Sequence, residues 1–512
     1  MTVARTHAVA LLGLTGSIVE VEADLSAQLP GFSIIGLPDA ALGEARERVR
    51  AAAVNAGCPL PQRKLTVNLS PAALPKHGSG FDLAIAVACL AAAGEVSVES
   101  VARVVHLGEL GLDGRLRPID GILPAVLAAV RAGHRTVMVP SANADEAALV
   151  PDVAIIGVVS LLDAAIHHGG RFEAREVDAV ASVRTEQAGT AEVSGDLSDV
   201  AGNTDAIDAL LAAAAGGHHL SMIGPPGAGK TMLASRLPGI LPDLDADAAL
   251  EVSCLRSLSG QPVGSGLSFR PPFEAPHHTA TAAAMVGGGS RLIRPGAAAR
   301  ASHGVLFLDE APEFPAAVLD VLRQPLESGT ISIHRANAVA SFPARFQLVL
   351  AANPCPCGLD GTAECTCPPN ARRRYLARIS GPLLDRIDLQ LKVPRLTAAH
   401  LRGARDRPGM TSAEARTKVT AARAVAAERL RGTPWRTNAQ MPGPWLRGAG
   451  GLHPGGRATA ALDRSLERGG ITMRGYDRVL KTAWTLADLA GADRPDAGHI
   501  GNALYFRQGI AR

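Results

Sequence analysis

The stretch GPPGAGKT, at residues 224–231, has the most specific chemistry in the sequence. It matches G-x-x-x-x-G-K-[ST], in which N–H groups of a glycine-rich loop surround phosphates, a lysine reaches the β and γ oxygens, and a hydroxyl binds Mg²⁺. An apolar, strand-like run precedes the loop and a helical run follows it, which adds the positive end of a helix dipole. The predicted phosphate-binding residues are Gly224, Pro225, Pro226, Gly227, Ala228, Gly229, Lys230 and Thr231.

Two acidic residues, Asp309 and Glu310, follow the apolar run VLFL. This pattern predicts a buried strand that carries carboxylates to the edge where the phosphates bind. We expect Asp309 to hold Mg²⁺ through water, together with the hydroxyl of Thr231, and Glu310 to polarise the attacking water. The residues for hydrolysis of a nucleoside triphosphate are therefore all present.

A third strand-like run, FQLVLAAN, ends at Asn353. The amide of Asn353 is predicted to orient water near the γ-phosphate. An asparagine before a proline is also an ordinary way to end a strand, and that alternative stays open for Asn353 taken by itself. Its place after the two other motifs favours the functional role.

Two arginines are candidates for contacts with the transferred phosphate. Arg386, in LLDRID, is either an arginine finger that enters the nucleotide site of a neighbouring subunit or a partner in a surface ion pair. Arg474, in ITMRGYDR, is either a second phosphate sensor or one of many solvated arginines in the C-terminal part. Position along the chain does not separate these alternatives.

Four of the seven cysteines fall within the 13 residues of 355–367. Two C-x-C pairs on a short loop can supply four thiolates to a tetrahedral zinc ion, although C-x-C is tighter than the usual spacing. The alternatives are free thiols that pack a loop and thiols that are open to oxidation. A structural zinc ion is the favoured interpretation, with the ligands Cys355, Cys357, Cys365 and Cys367.

The pattern of apolar residues divides the chain into parts that must position these groups. Strand-like and helical runs alternate over residues 1–170, and a polar, acidic stretch at 171–195 indicates a linker. Strands and helices alternate around the phosphate motif at 196–400, which predicts a parallel α/β sheet with a cysteine-rich loop at 355–367. Residues 401–512 have helical patterns and few strand signals. The predicted fold class is α/β.

The amino-acid composition excludes few classes of protein, but it bears on the number of domains, on membrane contact and on the cellular compartment. With 512 residues, 47% of them hydrophobic, the chain is long enough for roughly two to four packed domains. A net charge of +3 is too small to indicate a nucleic-acid partner by itself. No apolar run reaches the roughly 18–20 residues of a membrane span, and no cleavage site follows the N-terminal apolar run. These features, with an odd number of cysteines, predict a cytoplasmic protein without membrane contact.

The order of these motifs resembles the ComM (YifB-like) family of AAA+ ATPases, which is related to the ATPase subunit of magnesium chelatase. The resemblance covers nearly the full length of the chain, and the order of the stretches is more telling than any one of them. Besides the motifs above, it is carried by GFSIIGLPDAALGEARERVRAA, LTVNLSPAALPKHGSGFDLAIA, APHHTATAAAMVGGG, FPARFQLVLAANPCPCG and SGPLLDRIDL.

The resemblance implies an AAA+ P-loop core with a parallel sheet, a C-terminal helical lid at 401–512, and a Lon-protease-like, ChlI-type N-terminal domain at 1–170. It implies ATP and Mg²⁺ as cofactors and a homo-hexameric ring with ATP sites between subunits. The finger role then falls to Arg386, and Arg474 as second sensor need not complete the site of its own chain. The family is associated with ATP-driven branch migration in recombination and transformation, so the expected partner is branched or single-stranded DNA.

Ring helicases related to this family carry a β-hairpin just before the asparagine-bearing strand. Here GTISIHRANAVASFPARFQ has that form, with His334 and Arg335 near the tip, where they could contact DNA phosphates. A structural hairpin with solvated tip residues is the alternative. His277 and His278 lie in the other expected pore insertion, and no spaced Glu or Cys completes a metal site there.

The Lon-like resemblance raises the question of proteolysis. The family pattern places Gly80 at the position of the nucleophilic serine, with Ser79 one residue early, and Leu123 at the position of the lysine. A serine without a general base is not an activated nucleophile. We therefore expect a non-proteolytic domain that contributes to assembly or to DNA contact.

These observations predict an ATP-hydrolysing ring motor that acts on DNA. The alternative is a magnesium-chelatase-like ATPase that remodels a protein partner. The N-terminal domain and the cysteine-rich loop match ComM-like chains rather than the chelatase subunit, and they favour the DNA motor. An ATP-dependent protease is disfavoured because its lysine is missing. A scaffold that only binds ATP is disfavoured because every hydrolysis residue is present.

Overall fold

The computed structural model of the chain describes residues 3–36, 40–76, 78–181, 195–264, 266–289, 293–335, 338–359, 364–395, 409–448 and 450–508. Within these ranges the strands form a seven-stranded N-terminal sheet, a five-stranded central sheet and three separate two-stranded ladders, and a group of helices follows them. No helix among the described residues combines the length and the apolar content that crossing a membrane requires.

The N-terminal part contains a mixed sheet and a short separate ladder. Its strands are β1 (Ala4–Leu12), β2 (Thr15–Ser26), β3 (Gly31–Ile35), β4 (Lys64–Ser70), β5 (Val105–His106), β6 (Glu109–Leu110), β7 (Leu116–Arg117), β8 (Thr136–Pro140) and β9 (Ala154–Val158). The sheet has seven strands in the order β3-β4-β2-β1-β5-β8-β9, and β6 pairs with β7. Buried residues alternate with less buried ones along β2 and β4, which explains their strand-like sequence pattern.

Helices cover the N-terminal sheet. They are α1 (Ala40–Asn55), α2 (Asp82–Ala93), α3 (Val98–Ala102), α4 (Ile122–Arg131), α5 (Ala144–Ala147) and α6 (Leu161–His167). Every residue of α2 except Ala93 is buried, as its unbroken apolar run predicts. Helix α2 packs against β1 and β2 and lies at the centre of the N-terminal core.

A buried chain of hydrogen bonds joins two histidines in this core. The Oγ1 atom of Thr6 lies 2.7 Å from Nδ1 of His106, and Nε2 of His106 lies 2.9 Å from Nε2 of His168. The Nδ1 atom of His168 lies 2.8 Å from Oγ of Ser100. Burial lowers the pKa of His168 to about 4 and holds the pKa of His106 well below its ordinary value. Both rings are therefore neutral in the folded protein at pH 7.

Acid should destabilise this histidine cluster. Because the folded pKa of His168 is lowered, only the unfolded chain binds this proton between about pH 6.5 and 4. The stability that neutral His168 contributes is present above pH 6.5 and is lost as the pH falls, by about 2 kcal/mol at pH 5. Native-state hydrogen exchange of the β5 amides should report this loss, and a His168→Gln variant should show a weaker pH dependence. Equal pH dependence in the two proteins would contradict the assignment.

The central part contains the parallel sheet that carries the nucleotide motifs. Its strands are β10 (Leu220–Ile223), β11 (Phe273–Glu274), β12 (Gly287–Gly288), β13 (Arg294–Pro295), β14 (Val305–Leu308), β15 (Thr330–Arg335), β16 (Ala338–Pro343), β17 (Gln347–Ala352) and β18 (Leu389–Lys392). Five of them form the sheet in the order β11-β14-β17-β10-β18, and every ladder is parallel. The carboxyl ends of β10, β14 and β17 therefore meet at one edge.

Helices lie on both faces of the central sheet. They are α7 (Thr204–Gly216), α8 (Lys230–Ile240), α9 (Ala246–Leu258), α10 (Ala282–Val286), α11 (Ala297–Arg300), α12 (Ala316–Asp320), α13 (Pro325–Ser328), α14 (Pro369–Leu376) and α15 (Gly381–Leu384). Val349 and Ala351 of β17 pack in one apolar cluster, and Leu348 and Leu350 pack in another. This alternation, with every residue of β14 and β17 buried, is characteristic of parallel strands covered on both faces.

The described C-terminal residues form helices. These are α16 (Ser412–Arg429), α17 (Gly443–Arg447), α18 (Gly456–Glu467), α19 (Met473–Ala490) and α20 (Ala497–Gln508). A capping box of Thr411 and Glu414 begins α16. Ala415, Val419 and Ala422 of α16 pack in the apolar cluster that also contains α7 and α8, so the helical part rests on the central sheet domain.

The N-terminal part is docked on the central part. The backbone N–H of Gly121 donates to the carbonyl oxygen of Ser257 at 3.0 Å, and that of Leu123 donates to the Ser257 hydroxyl at 3.3 Å. The Nη2 atom of Arg294 lies 2.9 Å from the carboxylate of Asp120. Helices α4 and α9 also pack against each other.

A second contact joins the turn between β1 and β2 to the hairpin of β15 and β16. A Cβ atom added at Gly13 would lie 2.6 Å from the carbonyl oxygen of Ser341 in β16, so the two backbones approach closely. Leu11, Leu12 and Leu14 pack against the apolar cluster that contains buried side chains of the hairpin. The N-terminal sheet therefore supports the base of this hairpin.

Candidate functional site

The phosphate loop lies between β10 and α8, at the carboxyl edge of the parallel sheet. Strand β10 ends at Ile223, Gly224 opens the loop, and Lys230 is the first residue of α8. A Cβ atom at Gly224 would lie 2.2 Å from the carbonyl oxygen of Val393, so a larger residue does not fit there. The loop can therefore offer its N–H groups and the N-terminus of α8 to a phosphate.

The ammonium group of Lys230 is held over the loop. Its Nζ atom donates to the carbonyl oxygens of Gly224 at 2.7 Å and Pro225 at 3.0 Å, and to Oδ1 of Asn353 at 3.2 Å. Burial lowers the pKa of Lys230, and the nearby carboxylates oppose this shift. The structure thus brings together Lys230, the first residue of α8, and Asn353, which follows β17 more than a hundred residues later in the chain.

Thr231 and Asp309 form the second contact of the site. The hydroxyl of Thr231 donates to Oδ2 of Asp309 at 2.7 Å. The Oδ1 atom of Asp309 accepts a hydrogen bond from the backbone N–H of Glu310 at 2.9 Å. A hydroxyl and a carboxylate this close are oxygen ligands of the kind that Mg²⁺ prefers. The two side chains fit a shared Mg²⁺ ion, bound directly or through water.

Glu310 has a partner that sequence patterns did not indicate. Its Oε2 atom lies 3.5 Å from Nδ1 of His278, and 50% of the Glu310 side chain is exposed. The backbone of Glu310 has a φ of 50°, a left-handed conformation that is costly and occurs at functional sites. His278 follows β11, which neighbours β14 only in the folded sheet. A local pattern could therefore not reveal this contact.

The contacts of Arg386 and Arg474 are outside the phosphate loop. Arg386 pairs with Glu327 and donates to the carbonyl oxygen of Pro382 at 2.6 Å, with 13% of its side chain exposed. The Nη1 atom of Arg474 lies 3.3 Å from Oδ2 of Asp385, and 73% of its side chain is exposed. Because Asp385 precedes Arg386 in the chain, the structure brings the two arginines near each other.

The hairpin lies where the sequence predicts it. Strands β15 and β16 pair antiparallel, from Thr330 opposite Pro343 to Arg335 opposite Ala338. His334 is exposed, one residue before the end of β15. The backbone of Arg335 ends the same strand, and its side chain falls outside the described residues. Both candidates for DNA contact are therefore at the free end of the hairpin.

The four cysteines of residues 355–367, which we call the cysteine group, converge after β17. The Sγ atom of Cys355 lies 3.3 Å from that of Cys357 and 3.8 Å from that of Cys365. The Sγ atoms of Cys357 and Cys365 are 3.6 Å apart. All four Sγ atoms, with that of Cys367, lie within 4.8 Å of one another. The two C-x-C pairs thus form one compact set of thiols.

The N-terminal residues that bear on proteolysis have other partners. The hydroxyl of Ser79 is hydrogen-bonded to Glu109. Lys76 is fully buried, and its Nζ atom donates to three backbone carbonyl oxygens at 2.6–3.0 Å. Leu123, at the position of the lysine in Lon proteases, is buried in the apolar core. Lys76 therefore holds the backbone around it.

Family models match three successive parts of the chain. Residues 196–401 match the model described as "Magnesium chelatase, subunit ChlI". Residues 21–143 match "Subunit ChlI of Mg-chelatase", and residues 409–507 match "Magnesium chelatase, subunit ChlI C-terminal". The three matches correspond to the central sheet, the N-terminal sheet and the C-terminal helices.

Similarity to individual proteins extends over the whole length. The chain is 47% identical to an uncharacterized protein of Mycobacterium tuberculosis, with 100% of both chains covered. It is 41% identical to the competence protein ComM of Haemophilus influenzae, over 99% of this chain and 98% of that protein. A shorter similarity, 31% identity over 25% of this chain and 15% of the other, joins it to the Lon protease of Azorhizobium caulinodans.

Proposed function

The chain belongs to the ComM-like group of the magnesium chelatase family of AAA+ ATPases, and on this premise we propose that it is an ATP-hydrolysing ring motor that acts on DNA. One observation carries the hydrolysis: the side chains predicted to bind and cleave ATP converge at one edge of the parallel sheet. These are Lys230, Thr231, Asp309, Glu310 and Asn353.

The geometry suggests a division of labour among these side chains. Lys230 can exchange its carbonyl partners for the β and γ oxygens of ATP without leaving the loop. Thr231 and Asp309 would hold Mg²⁺, which neutralises charge on the phosphates. Glu310, half exposed beside the loop, would orient and polarise the attacking water. Asn353, released from Lys230, would position the same water or the γ-phosphate.

We infer a ring, a homo-hexamer in the cytoplasm, in which Arg386 and Arg474 serve the neighbouring subunit. Their contacts in the chain are with Glu327, Pro382 and Asp385 rather than with the phosphate loop. Arg474 is largely exposed, whereas Arg386 is 13% exposed and would have to leave Glu327 and Pro382 to reach another subunit. An arginine supplied in trans stabilises the charge that develops on the transferred phosphate.

Three lines of evidence support the proposal that DNA is the binding partner. Strands β15 and β16 form a hairpin with His334 exposed near its end. A full-length relative at 41% identity is named a competence protein. The family resemblance implies branch migration of DNA. The second candidate is a chelatase-like ATPase that remodels a protein partner, and the ChlI models that match all three parts of the chain favour it.

The rate of ATP hydrolysis with and without DNA separates the two candidates. We would compare no DNA, duplex, forked DNA and a four-way junction, with Glu310→Gln as the inactive reference. Stimulation by branched DNA that disappears in the reference supports the motor. A rate that no DNA changes would overturn the DNA proposal and favour remodelling of a protein.

The hairpin tip gives a more specific prediction. A variant with His334→Ala and Arg335→Ala should lose most of its stimulation by DNA, because the tip no longer offers a cation to the phosphates. The salt dependence of DNA binding, log Kd against log salt concentration, should weaken by about 1 for each phosphate that the tip no longer binds. Arg103→Ala, which removes an exposed arginine of the N-terminal part paired with Glu99, is the control and should bind as the unchanged chain does. Equal loss in both variants would rule out a specific role for the tip.

A further inference from the structure

The segment that carries the cysteine group adjoins the nucleotide site at two residues, Asn353 and Gly358. Asn353, which bonds Lys230, stands two residues before Cys355. On the other side, a Cβ atom added at Gly358 would lie 2.7 Å from Cδ of Pro226 in the phosphate loop. The backbone N–H of Gly358 donates to the carbonyl oxygen of Cys355 at 3.0 Å. Along the chain, the first C-x-C pair therefore lies between Asn353, which bonds Lys230, and Gly358, which contacts the phosphate loop.

The spacing of the thiols fits a tetrahedral metal ion. Zinc–sulfur bonds of about 2.3 Å in a tetrahedron place neighbouring sulfur atoms about 3.8 Å apart. The three separations among Cys355, Cys357 and Cys365 are 3.3–3.8 Å. A disulfide would require about 2.05 Å, and all four cysteines have free thiols. Four soft thiolate ligands in this geometry favour zinc over the hard cations Mg²⁺ and Ca²⁺.

The guanidinium group of Arg372 lies beside the thiols and would offset the negative charge of a zinc–thiolate site. The Nη2 atom of Arg372 lies 3.6 Å from Sγ of Cys365, and its Nε atom donates to the carbonyl oxygen of Cys367 at 3.1 Å. Four thiolates around one Zn²⁺ leave excess negative charge, which N–H groups of an arginine stabilise. Arg372 belongs to α14, so this contact also ties the second C-x-C pair to a helix.

We propose that the cysteine group binds one zinc ion as thiolates and that the ion couples to ATP binding by holding Gly358 against Pro226 and Asn353 beside Lys230. Bound zinc cross-links the segment and fixes it before nucleotide arrives, which lowers the entropy cost of ordering the site. Without the ion, the same segment can move away from the phosphate loop. The coupling rests on the proposed ATP site, whereas zinc binding by itself does not.

The metal content of the full chain tests the first part. Mass spectrometry of the purified protein should find one zinc ion per chain, and a Cys365→Ser, Cys367→Ser double variant should have lost it. Cys254→Ala removes a buried thiol outside the group and should retain zinc. Replacement of zinc by Co²⁺ should give the thiolate charge-transfer band of a tetrahedral sulfur site. A chain that folds, binds ATP and holds no zinc, or holds disulfides instead, would overturn the proposal.

The release of zinc tests the coupling, because linkage between two ligands is reciprocal. Zinc loss to 4-(2-pyridylazo)resorcinol should be several-fold slower with a non-hydrolysable ATP analogue and Mg²⁺, and Lys230→Ala should remove this protection. Binding of the analogue is measured separately by fluorescence. If the analogue binds and zinc leaves at an unchanged rate, the coupling is wrong and the zinc site stands. If the unchanged chain binds zinc but no nucleotide, both the ATP site and the coupling are overturned.

Discussion

Glu310→Gln is expected to lower the rate of ATP hydrolysis by about 10²–10⁴ and to leave ATP bound. The amide has nearly the size of the carboxylate but cannot act as a base toward water. Lys230, Thr231 and Asp309 keep their contacts, so the affinity for ATP with Mg²⁺ should change only a few-fold. The variant should therefore trap the nucleotide-bound form of the protein.

Phosphate release gives kcat for this variant, and binding of a fluorescent ATP analogue gives its affinity. Glu313→Gln is the matched control, because Glu313 is a nearby exposed carboxylate whose partner is Arg378 at 3.1 Å. The control should hydrolyse ATP within a few-fold of the unchanged rate. If Glu310→Gln hydrolyses ATP as fast as the control, another group activates the water and the assignment of Glu310 is wrong.

Arg386→Ala should reduce kcat by about 10³ if the residue is an arginine finger. A residue that only pairs with Glu327 would contribute to the stability of the fold and nothing to the reaction. The large expected effect therefore separates the two interpretations of Arg386. Binding of the ATP analogue should persist, because Arg386 makes no contact with the phosphate loop of its own chain among the described contacts.

A mixing experiment shows whether Arg386 acts in trans. Glu310→Gln supplies an intact finger but no base, and Arg386→Ala supplies an intact base but no finger. In a mixed ring, an Arg386→Ala subunit beside a Glu310→Gln subunit regains one complete site, so the mixture should hydrolyse ATP faster than either variant alone.

Arg323→Ala is the control for this pair of variants. Arg323 is a partly exposed arginine whose Nη1 atom lies 3.8 Å from the carboxylate of Asp320, and its loss should leave kcat unchanged. Activity of the mixture equal to the mean of the two variants would mean that Arg386 serves its own chain or no ATP site.

The convergence of the candidate nucleotide-binding residues could be predicted because their motifs are local in sequence and their strands are parallel. The phosphate loop is a contiguous pattern, and Asp309 and Asn353 each follow an apolar run. Parallel strands bring such ends to one edge whatever their order in the sheet. The fold class followed from the same alternation of strands and helices.

Contacts that depend on the order of strands were beyond prediction. The bond between Lys230 and Asn353 requires β10 and β17 to be neighbours, which the structure shows and the pattern of apolar residues does not. The contact of His278 with Glu310 likewise requires β11 to lie beside β14. The period of apolar residues in one strand identifies the strand but does not specify which strands pair with it. The order of strands in the sheet is therefore known only from the structure.

The docking of the N-terminal part was also invisible in sequence. Gly13 lies in an ordinary turn, and nothing near it indicates that its backbone meets Ser341. The surfaces that meet are apolar residues and backbone groups rather than a motif. The interface between the N-terminal and central parts depends on the shapes of the two surfaces and on how they pack. The spacing of residues in the sequence does not specify either.

If the chain is the DNA motor proposed above, the contact between the Gly13 turn and Ser341 gives the N-terminal sheet a mechanical role. If the hairpin binds a strand of DNA, force on the hairpin is transmitted through Ser341 to the turn at Gly13, and also to the strands of the central sheet. The N-terminal sheet would then support the base of the hairpin, because a hairpin that bends at its base transmits little force. A chain reduced to its nucleotide-binding core would still hydrolyse ATP. Its unsupported hairpin would yield under load, so hydrolysis would be uncoupled from movement of DNA.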